Sequence, residues 1–306
     1  TLLLFLNLIP ALADQVLPQK LFPVDKEMRR RVEFWKRVYT EVTTQQGFLH
    51  DLNNPEIVYE KLDFKNASER QIEKMVEQRK SEIRKTLFSL HNKSQQSSHS
   101  ALKGKLREIL KSRKNISFRD LAENIRFQRG LSDRYMKGLK LSGRYLEFGQ
   151  DIFKRMNLPE ELAFLPHVES SFNYNARSKV GALGLWQIMP GTGRLYGLKK
   201  NTLLDERRDP VRSTQAAAKL LRDNYRTFRS WPLAITAYNH GPASIRRAIN
   251  KIGSDDISDI IDEYQSASFG FASKNFYATF VAVAEIELNS KKYFPEVSLD
   301  PPLRWG

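Results

Sequence analysis

None of the 306 residues is cysteine. That excludes disulfides, thiolate metal sites and lipid attachment to cysteine within this sequence. No stretch reaches the roughly 18 to 20 apolar residues of a membrane-spanning helix, so no transmembrane span is expected. Carboxylates are in short supply, with 35 Asp+Glu against 50 Lys+Arg and a net charge of +15. The shortage is sharpest in one place: after Glu169 the next acidic residue is Asp205.

What is there begins with TLLLFLNLIP, an apolar run about half the length of a span, followed by Ala11-Leu12-Ala13 before Asp14. This reads as a secretory signal over residues 1–13 with an A-x-A cleavage site; the competing reading is a buried N-terminal helix. Export without disulfides fits a bacterial periplasm, so the expected location is periplasmic or secreted. Residues 65–150 carry a net +12, whereas the segments on either side carry −1 and +4. A basic surface of that size suits an anionic partner, either an acidic wall polymer or lipid headgroups. Export argues against nucleic acid. The alternative is a solvated basic face with no partner.

Hydrophobic spacing predicts a mainly α chain. Met28, Val32, Phe34, Trp35, Val38 and Tyr39 recur at helical spacing. GFLHD and IVYEKLDF flank the turn-rich LNNPE and predict a β-hairpin near 47–64. A charged helix is expected over 66–92, then a polar, serine-rich linker, NKSQQSSHS, over 92–100. Further helices are expected at 101–113, 118–128 and 132–156, with Ser117 and Ser132 as N-caps of the last two. From 157 onward Pro159, Glu160 and Glu161 suit a helix start, and Pro166 should interrupt a turn just before Glu169. Residues 173–186 read as a loop. DPVRSTQAAAKLLRDNYRTF is a helix with Asp209 as N-cap and Pro210 first. WPLAITAYNHGP is another, ended by Gly241 and Pro242, and ASKNFYATFVAVAEIELN is the last long one. The expected division is a signal over 1–13, a basic helical region over 14–150 and a catalytic domain over 151–306.

Glu169 stands among Leu165, Val168 and Phe172, and desolvation there should raise its pKa. A protonated glutamic acid in a cleft is suited to protonating a glycosidic oxygen. Glycosidases normally employ two carboxylates. Here the second is missing nearby, so a mechanism needing one acid is expected. Trp186, Ile188 and Met189 read as core, His167 as structural, and His240 as either cleft wall or surface.

ESSFN, ARSKVGALGLWQIMP and TAYNHGP, in that order and spacing, resemble the successive motifs of the soluble lytic transglycosylases, glycoside hydrolase family 23, in the membrane-bound lytic murein transglycosylase D branch. The resemblance covers about 157–290. It implies a lysozyme-like catalytic domain, glycan strands of peptidoglycan as substrate, and no metal or cofactor. By resemblance Glu169 is the acid/base. Ser170 and Ser178 match polar motif positions, Gln187 matches the glutamine that contacts substrate, and Tyr238 and Asn239 match the pair lining the cleft. Gly181 and Gly184 would let backbone approach the substrate, and the Tyr238 hydroxyl is available to Glu169. One departure stands out. Where the family carries Glu-Thr and then a tyrosine that meets the acid, this sequence has Ala272-Ser273 and Phe276, with Tyr277 one residue away. The resemblance implies cleavage between N-acetylmuramic acid and N-acetylglucosamine with a 1,6-anhydro end. The rivals are a hydrolytic lysozyme of the same fold, disfavoured by the acid-free stretch after Glu169, and a non-catalytic wall-binding protein.

Overall fold

In the computed structural model residues 14–91, 100–111 and 117–303 are described. The signal-like segment 1–13 and residues 92–99 of the expected linker lie outside the described residues.

The chain is mainly α with a small antiparallel sheet. α1 (Lys26–Thr40) starts where the Asp25 carboxylate accepts the Met28 N–H at 2.6 Å, and it buries Val32, Phe34, Trp35, Val38 and Tyr39. β1 (Gln46–Asp51) and β2 (Val58–Asp63) form the expected hairpin. α2 (Glu69–His91), α3 (Ser100–Leu110) and α4 (Phe118–Glu123) follow, and the Ser117 hydroxyl caps α4 as expected.

Two expected helices come out differently, each for a long-range reason. The span 118–128 is helical only to Glu123; Ile125–Arg129 is a strand, β3, which pairs with β1 from Gly47↔Arg129 to Asp51↔Ile125. Its pairing covers the open edge of β1, so the sheet order is β2-β1-β3. The span 132–156 is two helices, α5 (Ser132–Ser142) and α6 (Leu146–Arg155). The break at Gly143 admits the C-terminal segment: a Cβ there would lie 2.3 Å from the Asp300 carbonyl oxygen, and the Arg144 guanidinium donates to Asp300 at 2.7 Å. Ser132 is the buried first residue of α5 rather than its cap.

A 3₁₀ turn (Glu160–Phe164) leads into α7 (Pro166–Glu169), then α8 (Pro190–Leu195). α9 (Pro210–Phe228) is capped by Asp209, whose carboxylate accepts from Val211 and Arg212. α10 (Trp231–His240), α11 (Pro242–Ile252), α12 (Ile257–Glu263), α13 (Phe271–Leu288) and α14 (Ser290–Tyr293) complete the chain.

α13 is the spine. Every residue from 275 to 287 is buried, with α1, α7 and α10 packed around it. A helix apolar on all sides belongs inside a core. Its buried Glu285 is met by Arg29 at 2.8 and 2.9 Å and by Lys36 at 3.4 Å, so no isolated charge is left. The larger core draws on 17–48 as well as 135–297, and a smaller one, between the sheet and α2–α4, lies within 49–125.

Candidate active site

α7 is a single turn, and its three last residues go three ways. His167 turns inward and is fully enclosed. Its Nε2 meets the Glu287 carboxylate at 2.6 Å, Tyr135 stacks on its ring at 4.6 Å, and Phe172 meets it edge-on at 4.6 Å. The Ser142 hydroxyl donates to the other Glu287 oxygen at 3.3 Å. This buried pair fastens α7 to α13. Val168 is half-buried. Glu169, two residues from His167 and so on another side of the turn, opens onto a cleft of about 480 Å³. The cleft is lined by α7, by Ser171, Asn173 and Ala176 beyond it, by Tyr39 of α1, and by Leu131, Arg134, Lys137 and Leu141 around α5.

The Glu169 carboxylate takes no hydrogen bond or ion pair from the described residues. Burial alone pushes its pKa from the ordinary 4.5 to about 8. At neutral pH it holds a proton. Among the described residues no other carboxylate lines the cleft. Two other carboxylates of the domain are committed elsewhere: Glu287 to His167, and Asp205 to Arg207.

The motif residues after Glu169 are tied to main chain. Ser171 and Phe172 both adopt left-handed backbone, φ 51° and 55°, which turns the chain sharply away from α7. The Ser170 hydroxyl donates to the Leu185 carbonyl at 2.8 Å, and the Ser178 hydroxyl accepts the Ala182 N–H at 2.9 Å. Gln187, itself at φ 45°, donates its amide to the Ala176 and Gly184 carbonyls at 3.0 and 2.9 Å. The Tyr238 hydroxyl donates to the Trp186 carbonyl at 2.7 Å rather than to Glu169. Tyr238 is still beside the acid: after burial, the Glu169 charge is what drives its phenol pKa well up. Asn239 is exposed on α10 and accepts the Ser273 hydroxyl at 3.0 Å; that hydroxyl also meets His240 Nδ1 at 3.1 Å. Of the expected site residues, then, Ser170 shares the cleft with Glu169 and Tyr238 stands beside the acid, whereas Ser178, Gln187 and Asn239 are not among the residues lining this cleft.

Trp186 and Ile188 are buried as expected, with the Trp186 indole N–H donating to Thr214 at 2.8 Å. Met189 is 40% exposed, not core, because Pro190 starts α8 and turns the chain outward. Phe276 is buried, and the neighbouring Tyr277 donates to the Pro23 carbonyl at 2.9 Å. Its hydroxyl therefore serves the α1 entry and not the acid.

Two contributors were not among the expected site residues. Arg207, only 5% exposed, staples the loop: it donates to the Gly181 and Ile188 carbonyls at 2.8 and 2.9 Å and pairs with Asp205 at 2.7 Å. Gly184 has φ +81°, and a Cβ there would fall 2.0 Å from the Arg207 carbonyl oxygen. The other is Tyr39. Its appearance in the helical pattern of α1 marked it as apolar lining, and nothing local tied it to Glu169.

Glu169 lies within a stretch of the chain that is similar to known proteins. Residues 148–261 match the family described as Transglycosylase SLT domain. Over 141 residues the chain is 38% identical to membrane-bound lytic murein transglycosylase D of Escherichia coli strain K12, covering 46% of this chain and 30% of that protein. Over 83 residues it is 34% identical to a transglycosylase of Enterobacteria phage PRD1, covering 27% of this chain and 29% of that protein. The chain thus spans under a third of the length of either relative. Among solved structures, the 70 kDa soluble lytic transglycosylase SLT70 of Escherichia coli shares 24% identity over 46% of this chain and 24% of that one, with a TM-score of 0.37, a likeness too slight to bear on the fold.

Proposed function

We propose that this protein, which carries a transglycosylase SLT domain over residues 148–261, is a peptidoglycan lytic transglycosylase. The observation that carries the reading is Glu169 in a cleft that no second carboxylate lines among the described residues, its pKa pushed up to about 8 by burial. Glu169 gives its proton to the glycosidic oxygen as the bond from the anomeric carbon of N-acetylmuramic acid breaks. The resulting carboxylate takes the proton of the same sugar's 6-hydroxyl, whose oxygen closes onto the anomeric carbon. A 1,6-anhydro end forms, Glu169 regains its proton, and no water is consumed. An intramolecular nucleophile has a high effective concentration and needs no separate base to activate water. Ser170 and Tyr238 shape the wall beside the acid in this scheme. Ser178, Gln187 and Asn239 serve glycan binding further along, where the unused Gln187 oxygen and the exposed Asn239 amide are available to N-acetyl groups and hydroxyls.

The substrate places the protein in the periplasm or outside the cell. No helix among the described residues is long and apolar enough to cross a membrane. Attachment to anionic wall polymer falls to the basic segment, where Arg70, Lys74 and Lys85 of α2 and Lys105 and Arg107 of α3 are exposed. Binding to insoluble wall should weaken as salt rises to physiological strength and surface charges are screened; a salt-independent pull-down would remove the segment from this role.

The deciding experiment is the chemistry of the ends released from purified peptidoglycan in isotopically labelled water. Anhydro ends, about 18 mass units lighter than hydrolytic ones and free of label, are expected where no water enters the bond. Reducing ends carrying the label would make the protein a lysozyme.

A further inference from the structure

Glu169 has an unusual deficit for a group that must become a carboxylate in mid-reaction. Its side chain has no hydrogen-bond donor from the described residues. A buried carboxylate without a donor is costly, so the second half of the cycle, in which Glu169 is ionised, lacks a stabilising partner among the residues of the sequence motifs. Tyr238 is adjacent, but its single proton is engaged by the Trp186 carbonyl.

Another residue lining the same cleft supplies a candidate. Tyr39 sits in the last turn of α1, 5% exposed, and lines the same cleft. Its ring is fixed by Trp35 at 6.2 Å and by Tyr135 edge-on at 5.5 Å. Tyr135, Tyr238 and Tyr277 each spend their hydroxyl proton on a backbone carbonyl. Tyr39 makes no hydrogen bond to any described residue. After burial, the charge of Glu169 is what raises its phenol pKa, so facing the carboxylate it keeps its proton and remains a donor.

The geometry points to Tyr39 as the positioning residue of the acid/base: its hydroxyl donates to the Glu169 carboxylate in the base step and fixes the rotamer from which the proton is given in the acid step. α1, which lies upstream of residues 148–261, therefore completes the active site. This rests on the transglycosylase reading above. The other charged or titratable groups around the cleft are Arg134 and Lys137, exposed on α5, Tyr238 on α10, and His167, which faces away into its pair with Glu287.

The test compares wild type, Tyr39→Phe and Glu169→Gln in the full chain, following release of soluble fragments from purified peptidoglycan between about pH 5 and pH 10, with thermal unfolding of each. Activity needs protonated Glu169, so the wild-type rate falls on the alkaline side. Removing a donor to the ionised form raises the carboxyl pKa further. Tyr39→Phe should therefore show a plateau about 10-fold lower, less than the ~10²-fold or more that a group transferring the proton itself contributes, together with an alkaline limb moved to higher pH. 3-Fluorotyrosine at position 39, a more acidic and stronger donor, should move the limb the other way. An unmoved limb in both, whether or not the rate drops, overturns the assignment and makes Tyr39 packing only. An active Glu169→Gln would instead overturn the transglycosylase reading itself, so the two failures are distinguishable.

Discussion

The motif-bearing segments and the helices α1 and α5 that meet them around Glu169 are built on opposite plans. In the motif-bearing segments, of whose polar residues Ser170 lines the cleft with Glu169, side chains are committed: Ser170 to Leu185, Ser178 to Ala182, Gln187 to Ala176 and Gly184, Tyr238 to Trp186, and nearby Arg207 to Gly181, Ile188 and Asp205. Where α1 and α5 line the cleft, Tyr39 keeps its hydroxyl uncommitted, and Arg134 and Lys137 stand exposed without an ion pair among the described residues. The motif-bearing part is thus mainly scaffold. Its side chains hold strained backbone, including the left-handed Ser171, Phe172 and Gln187, in one shape around the acid. Free polar groups come from helices that carry no motif. A site needs both, since a donor without a rigid frame and a frame without a donor each leave the carboxylate misplaced.

Glu169 belongs to neither plan, and its replacement is expected to have the largest effect. Glu169→Gln should lose at least ~10²-fold in rate, the scale of lost general-acid catalysis. It should at the same time be the more stable protein. A carboxyl whose pKa is raised by folding, from 4.5 to about 8, destabilises the folded state when ionised. That penalty is absent below the unfolded pKa and grows as pH rises toward about 8. The variant's melting temperature should match wild type in acid and exceed it at neutral and mildly alkaline pH. A variant that is inactive and also less stable at every pH would show a structural role for the carboxylate instead.

Arg207 tests the scaffold. Arg207→Met keeps the aliphatic stem but strips two loop carbonyls of their donor and leaves Asp205 without its partner. A loss of about 2–4 kcal/mol is expected for removing one member of a largely buried, hydrogen-bonded pair, read as a lower denaturant midpoint. The Asp205 carboxyl, now held below its usual range chiefly by its bond to Arg207, should return toward the ordinary value. Unchanged stability would mean that the loop is held by its main chain alone.

How far this was readable in the sequence follows the same division. The caps of α4 and α9, the Gly241 helix end and the isolated acid were legible because each depends on a few neighbouring residues. β3 was not, since its strand character comes from pairing with β1, far away in the chain. The break between α5 and α6 was hidden for the same reason: Asp300 occupies it. Motif positions named Ser170, Ser178 and Gln187 but not their hydrogen bonds to main chain, because a serine that braces a carbonyl and a serine that meets a sugar are the same letter. Tyr39 looked like one more apolar position on α1, and only packing on α13 brings it to Glu169. The core position assigned to Met189 failed because Pro190 redirects the chain there.

The smallest expected effect is also the sharpest contrast with Tyr39. Ser170 adjoins the acid in sequence and shares its cleft, so it has the better claim to a chemical role by position alone. Its proton, however, goes to the Leu185 carbonyl at 2.8 Å, with a longer contact to the Pro166 carbonyl at 3.4 Å. Ser170→Ala should therefore cost about 1 kcal/mol of stability, the net worth of one such hydrogen bond. At temperatures well below melting its rate should stay within about twofold of wild type, and the alkaline limb should not move, because no donor to Glu169 has been lost. Measured beside Tyr39→Phe, this gives two single-hydroxyl deletions at residues that line the same cleft. One should change stability and leave the pH profile alone; the other should shift the profile. If Ser170→Ala moves the limb, the motif-bearing part is not merely a frame, and the Ser170 hydroxyl must leave Leu185 for the carboxylate during turnover.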